Sequence, residues 1–143
     1  MYLHILAAVE THDDGQPVLA RAKALAEKFG AQLSVLHVVE YLPVDPAGDA
    51  LLTTPVDLSR ERAEQARARL QAWCGALGIP AERAKVVVGS ITGEILRAAK
   101  AAGADLIVVG HHPRSGLAAL FSHTEGGVVQ RSPCDVLAVR LAP

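Results

Sequence analysis

The segment from Ala104 to Arg140 constrains the fold more than any other part of the chain. An unbroken apolar run, Leu106-Ile-Val-Val109, ends in Gly110 and gives way to the polar stretch His111-His-Pro-Arg-Ser115. A small-residue segment follows, and the chain then enters a second apolar run, Val136 to Val139. Strands covered on both faces read as continuous Val/Ile/Leu runs, whereas strands with one wet face alternate. The segment is therefore expected to be strand, loop, helix and strand of a buried parallel sheet. The loop after Gly110 would lie at the carboxyl end of its strand, where open α/β sheets bind ligands.

Three further apolar runs precede it: His4 to Val9, Leu33 to Val39, and Val86 to Val88. Segments of helical period separate all five, which predicts an α/β domain, a single doubly wound five-stranded parallel sheet with helices on both faces. In the first helix Val18, Ala22, Leu25 and Phe29 share a face, with Asp13 or Asp14 as its cap, Pro17 in its first turn and Gly30 as its stop. The second helix is expected to bury a stripe of Leu58, Ala66, Leu70, Trp73 and Leu77, joined by the stem of Arg62, and to stop at Gly78 and Pro80. Its charged residues Arg60, Glu61, Glu64, Arg67 and Arg69 read as a solvated face. The third helix, about Thr92 to Ala102, turns Ile95, Ala98, Ala99 and Ala102 inward. The connection from Glu40 to about Pro55, with Pro43, Pro46, Gly48 and Pro55, is long enough to be either functional or mobile.

A chain of 143 residues suits one domain, expected to span 1–143. A net charge of −1 with interspersed signs removes the electrostatic case for nucleic acid or an anionic membrane. Cys74 and Cys134 fit no metal spacing and read as reduced, small apolar side chains. The opening run lacks a basic stretch and meets Glu10 early, so a strand is expected there and not a secretion signal. No apolar run approaches the roughly 20 residues that cross a bilayer, and a cytoplasmic location is expected.

The pieces His4-Ile-Leu-Ala-Ala-Val-Glu10, Leu36-His-Val-Val39, Gly103-Ala-Asp-Leu-Ile-Val-Val-Gly110 and Pro133-Cys-Asp-Val-Leu-Ala-Val139 share one order and spacing. On these the chain resembles the universal stress protein family along its whole length. The resemblance implies strand order 3-2-1-4-5, an adenine nucleotide alpha hydrolase-like fold, and homodimers joined partly through the last strand, here Val136, Leu137, Ala138, Val139 and Leu141. It also implies a division between members that bind ATP and members that do not. The ATP-binding pattern is Gly, two residues, Gly, about nine residues, then Gly with Ser or Thr, a turn whose N–H groups meet phosphate oxygens. Here Gly110 matches the first glycine, Pro113 stands at the second and offers no N–H, and Ser122 or His123 stands at the third, with Thr124 nearest the hydroxyl position. Gly110-His111-His112 followed by a non-glycine resembles the universal stress protein A subgroup, which the family pattern associates with absence of ATP binding.

Glu10 stands where ATP-binding relatives have Asp. If the strand order reverses between the first and fourth strands, Glu10 and Gly110 flank one crevice. The nucleotide-binding candidates are then Val9, Glu10, Val38 and Gly110 for an adenosine, Arg114 and Thr124 for a phosphate, and His111 and His112 beside them, with AMP, ADP or ATP as the ligand. The competing reading is that Glu10 only faces water at a strand end. His111, His112 and His123 invite a metal, yet neighbours on extended backbone point opposite ways, and none is expected. His4 and His37 read as hydrogen-bonded core residues, and Thr11-His-Asp-Asp-Gly15 as a capping turn. No Gly-x4-Gly-Lys loop or Gly-x-Ser-x-Gly elbow occurs. A pyrophosphatase would need a Ser-Gly-Gly loop where Glu10-Thr-His-Asp-Asp-Gly15 stands. A response-regulator receiver would need Asp and Lys where Gly89 and Arg140 stand. The expectation is a non-enzymatic homodimer with a degenerate nucleotide crevice, or else a regulatory module that binds adenine nucleotide.

Overall fold

The computed structural model describes residues 1–12, 14–40, 55–112 and 123–141. The expectations placed on Asp13, on the connection 41–54, on Pro113, Arg114 and Ser122, and on the side chains of His123 and Thr124 lie outside the described residues. The elements are β1 (His4–Ala8), α1 (Gly15–Phe29), β2 (Gln32–Glu40), α2 (Pro55–Ala76), β3 (Ala84–Gly89), α3 (Ile91–Ala102), β4 (Leu106–His111), α4 (His123–Arg131) and β5 (Asp135–Arg140). A 3₁₀ turn, Ala81–Arg83, leads into β3. All strand pairs are parallel and the sheet order is β3-β2-β1-β4-β5, as the family resemblance implied.

Two layers of helix cover the sheet, and the period-2 alternation of the strands decides which residue meets which layer. Ile5, Ala7, Val9, Leu33, Val35 and Val108 pack with Val18, Leu19 and Ala22 of α1 and Leu70, Trp73 and Cys74 of α2. On the other face Leu6, Leu36, Val38, Ile107 and Val109 pack with Ile95 and Ala99 of α3 and Val128 of α4. Burial pushes the Cys74 thiol pKa up, which keeps it a neutral apolar group.

Three expectations about the helices need correction. In α1 the buried face centres on Val18, Leu19, Ala22 and Ala26, while Leu25 and Phe29 are only half-buried. In α2 the buried stripe is Ser59, Ala63, Ala66, Leu70, Trp73 and Cys74, while Leu58 and Arg62 are exposed. Small side chains at Ala63 and Ala66 let the helix settle close over Val39 and Val86, and that turns Leu58 outward. Asp14 precedes α1 but makes no capping hydrogen bond, because its backbone is already helical (φ −67°, ψ −19°) and its carboxylate faces two imidazoles. Gly30 ends α1 in the left-handed region as expected, at φ 64°.

At the amino end of β1 the Asp105 carboxylate accepts from the N–H groups of Leu3 (2.9 Å) and His4 (3.0 Å), which holds its pKa below the usual carboxylate range. His4 Nε2 lies 2.7 Å from Ser34 Oγ, so this histidine is hydrogen-bonded as expected. Burial, helped by Arg83 and opposed by Asp105, lowers the His4 pKa. The unfolded chain therefore takes up a proton that the folded chain resists. Stability is complete above the unfolded value of about 6.5 and falls as pH drops from there toward the depressed folded value. The urea midpoint is expected to decline across that window, and His4→Gln to flatten the decline. An unchanged slope in the variant would remove His4 as its source.

Candidate functional site

The three central strands stop pairing at different residues, and a crevice opens where they do. β1 pairs with β4 as far as Ala7↔Val108 and with β2 as far as Ala8↔Leu36. Val9 makes one more bond, from its N–H to the Leu36 carbonyl at 2.9 Å. Residues two apart on a strand direct their N–H and C=O to the same side, so Val38 turns its backbone toward the space past the end of β1. His37 closes one corner: its Nδ1 lies 2.7 Å from the Val9 carbonyl. A carbonyl only accepts, so Nδ1 carries the proton and a neutral His37 keeps Nε2 as an acceptor.

The resulting cavity of about 390 Å³ has apolar walls from Val18, Leu36, Ile95, Val109 and Leu141. Its polar lining includes Glu10, His12, Asp14, Glu40 and His112. Asp14 Oδ2 lies 3.4 Å from His12 Nδ1 and 3.2 Å from His112 Nε2, and His12 Nε2 lies 3.9 Å from Glu10 Oε2. These side chains are about half exposed. Water screens their attraction, and the cluster orders the turn without forming a dry reaction centre.

A second lobe of about 380 Å³ shares Glu10, His12, His37, Val38, Glu40 and Ile91 with the first and continues to α2, where Arg62, Gln65, Ala66 and Arg69 line it. Arg69 holds its guanidinium over the Trp73 ring, 5.7 Å from the centroid.

Of the residues singled out from sequence, Val9, Glu10, Val38, Gly110 and His112 line the crevice together. His111 does not line it; it lies on β4, and its carbonyl accepts from Leu141 N–H at 2.8 Å. Arg114 and the Thr124 side chain are outside the described residues. Gly110 has a packing reason for lacking a side chain. A Cβ there would come within 2.9 Å of Leu141 Cδ1 and 3.1 Å of Val18 Cγ2, so the space is filled by the crevice floor. The sequence reading missed His12, Glu40, Arg62, Gln65 and Arg69. On β5, Val139 is buried in the chain's own core, as is Leu141 just after it, while Val136 and Leu137 are half-buried and Ala138 is exposed. Among the described residues no group of three or more His, Cys, Asp or Glu is placed to hold a metal ion. No described helix is long and apolar enough to cross a membrane.

The model of the universal stress protein family matches residues 1–140. The chain belongs to the universal stress protein family. It is 34% identical over 138 residues to universal stress protein A homolog 1 of Coxiella burnetii, covering 96% of each chain. Among solved structures it is similar to the universal stress protein UspA from Lactobacillus plantarum, with a TM-score of 0.75, 24% identity and 97% and 98% of the two chains covered. A universal stress protein solved in complex with cAMP matches at a TM-score of 0.59 and 23% identity, over 96% of each chain. These likenesses establish the adenine nucleotide alpha hydrolase-like fold of universal stress proteins.

Proposed function

We propose that this chain is a non-enzymatic, cytoplasmic universal stress protein of the A type, acting as one domain over 1–143, whose crevice takes an adenosine-bearing regulatory ligand: AMP, ADP or ATP. One observation carries the reading. At the point where the strand order reverses, an apolar slot meets a carboxylate and outward-facing strand-end backbone. A purine presents two apolar faces and a polar edge. Leu36, Ile95 and Val109 suit the faces, and the Val38 backbone and His37 Nε2 suit the edge. The Glu10 carboxylate is an acceptor for the hydroxyl groups of a ribose. The relative solved with cAMP supports an adenine nucleotide as the class. A non-catalytic role is supported by the openness of the His12–Asp14–His112 cluster to water.

Calorimetric titration with adenosine, AMP, ADP and ATP tests this. At least one of the four is expected to bind with a dissociation constant of about 10 μM or tighter, near −7 kcal/mol. Mass spectrometry of denatured, freshly purified protein should release an adenine compound. Absence of binding by all four would refute the reading.

The same proposal includes a homodimer through β5. This strand pairs with β4 on one side only and ends the sheet. Antiparallel self-pairing about the centre of Asp135–Arg140 would set Asp135 opposite Arg140 of a second copy, and Leu137 opposite Ala138, so opposite charges meet at both ends. Because Ala138 is exposed, Ala138→Asp should leave the monomer folded while it sediments at half the mass of the unaltered protein. A variant that stays dimeric would move the interface elsewhere.

A further inference from the structure

We infer that His37 makes the crevice selective for 6-amino purines: its Nε2 accepts from the exocyclic amino group of adenine and discriminates against 6-oxo purines. The inference rests on the nucleotide reading above and names the residue that chooses the base. Three observations carry it. His37 is 8% exposed, so its ring is held away from bulk water. It lines both lobes together with Glu10 and Val38, where the nucleoside is proposed to sit. Its Nδ1 lies 2.7 Å from the Val9 carbonyl, which commits that nitrogen to donating and leaves the Nε2 of the neutral ring to accept.

The strand ends explain why this ring meets a ligand. Alternation along β2 puts the His37 side chain on the sheet face of Val35 and Val39, opposite to Leu36 and Val38. β1 stops at Ala8, and the bond to the Val9 carbonyl draws the imidazole over the end of that strand. The Val38 backbone faces the same gap, because Val38 follows by two residues Leu36, whose carbonyl accepts from Val9 N–H. Two acceptors, the Val38 carbonyl and His37 Nε2, therefore border one space. An amino group carries two N–H donors and satisfies both. A 6-oxo group brings only lone pairs and leaves every acceptor there unpaired, and such a loss discriminates between ligands more sharply than shape does. The Val9 carbonyl fixes the tautomer before any ligand arrives, so the acceptor is preorganised.

The test is calorimetry on the full chain, unaltered and as His37→Asn, with adenine, unsubstituted purine and hypoxanthine compounds. All three are offered at the phosphorylation state, from nucleoside to triphosphate, that the adenine series binds best. The purine compound lacks the amino group and is otherwise the adenine one; the hypoxanthine compound carries oxygen in its place. Asparagine sets its amide N–H near the position of Nδ1, so it keeps the donor to Val9 and removes Nε2. The unaltered protein should bind adenine about tenfold or more tightly than purine, with hypoxanthine weaker still, because two hydrogen bonds are at stake. In His37→Asn the preference for adenine over purine should fall to about threefold, the part left to the Val38 carbonyl, while purine affinity changes less than about twofold. Should the variant fail to fold, the adenine compound dimethylated on its amino nitrogen, which has no N–H to give, should bind the unaltered protein no better than purine does. An unchanged preference in folded His37→Asn, purine or hypoxanthine equal to adenine, or the dimethylated compound equal to adenine would overturn the inference and leave the nucleotide reading standing. If no adenine compound binds the unaltered protein, the nucleotide reading itself has failed and the inference goes with it.

Discussion

Gly15→Ala is expected to cost at least about 3 kcal/mol and lower the melting temperature by about 10 °C or more, the upper end of what forcing an atom into a packed interior does. The cause is steric. A Cβ on Gly15 would press into the Glu10 carbonyl, coming within 2.8 Å of its carbon, and would meet Trp73 Cζ3 at 2.9 Å. Neither neighbour can yield cheaply. The carbonyl belongs to the backbone where β1 leaves the sheet, and Trp73 is a buried residue of α2, packed in the core with α1 and the sheet. Gly103→Ala makes a useful comparison. That glycine sits at φ 66° with no foreign atom within 4 Å of a built Cβ, so alanine there should cost only about 1–2 kcal/mol of left-handed strain. The order of the two losses in urea denaturation decides the matter. If Gly15→Ala proved the milder change, the close approach of the turn to Glu10 would be wrong. The variant that does fold should also bind adenosine more weakly, because displacing the Glu10 carbonyl moves the rim of the crevice.

This turn shows where the sequence was legible and where it was not. The sheet could be read because all five strands leave apolar runs, the three central ones buried on both faces, and the strand order that the family resemblance implied placed Glu10 and Gly110 at one crevice. His12 could not be placed in that way. It sits in an irregular segment whose path depends on how closely Gly15 passes Glu10, a contact with no periodic signature. The helix α2 misled for a different reason. Its stripe was traced at the start through the bulky residues Leu58 and Arg62, whereas the buried line runs through Ser59 and Ala63 before it joins the expected Ala66, Leu70 and Trp73, and small side chains give weak periodic signals. The same shift hid Arg62, which the stripe had turned inward by its stem, whereas Arg69 is exposed as expected. Sequence gives their angle around the helix, but not the cavity that they border with Glu10 and Glu40.

Trp73→Ala should have an effect as large as Gly15→Ala, about 3–5 kcal/mol, the usual cost of deleting a buried large aromatic side chain. The side chain is 8% exposed and belongs to the main core beneath β1, β2 and β4. Trp73→Phe, which keeps part of the ring, should lose less, and the difference measures the space left near Gly15. The two sites are in contact, so their costs should not add. Removing the indole relieves the ring half of the Gly15→Ala clash and leaves the half against the Glu10 carbonyl. The double variant is therefore expected to be more stable than the sum of the two single losses predicts, by about 0.5–3 kcal/mol. Strict additivity would mean that the ring and the turn do not touch.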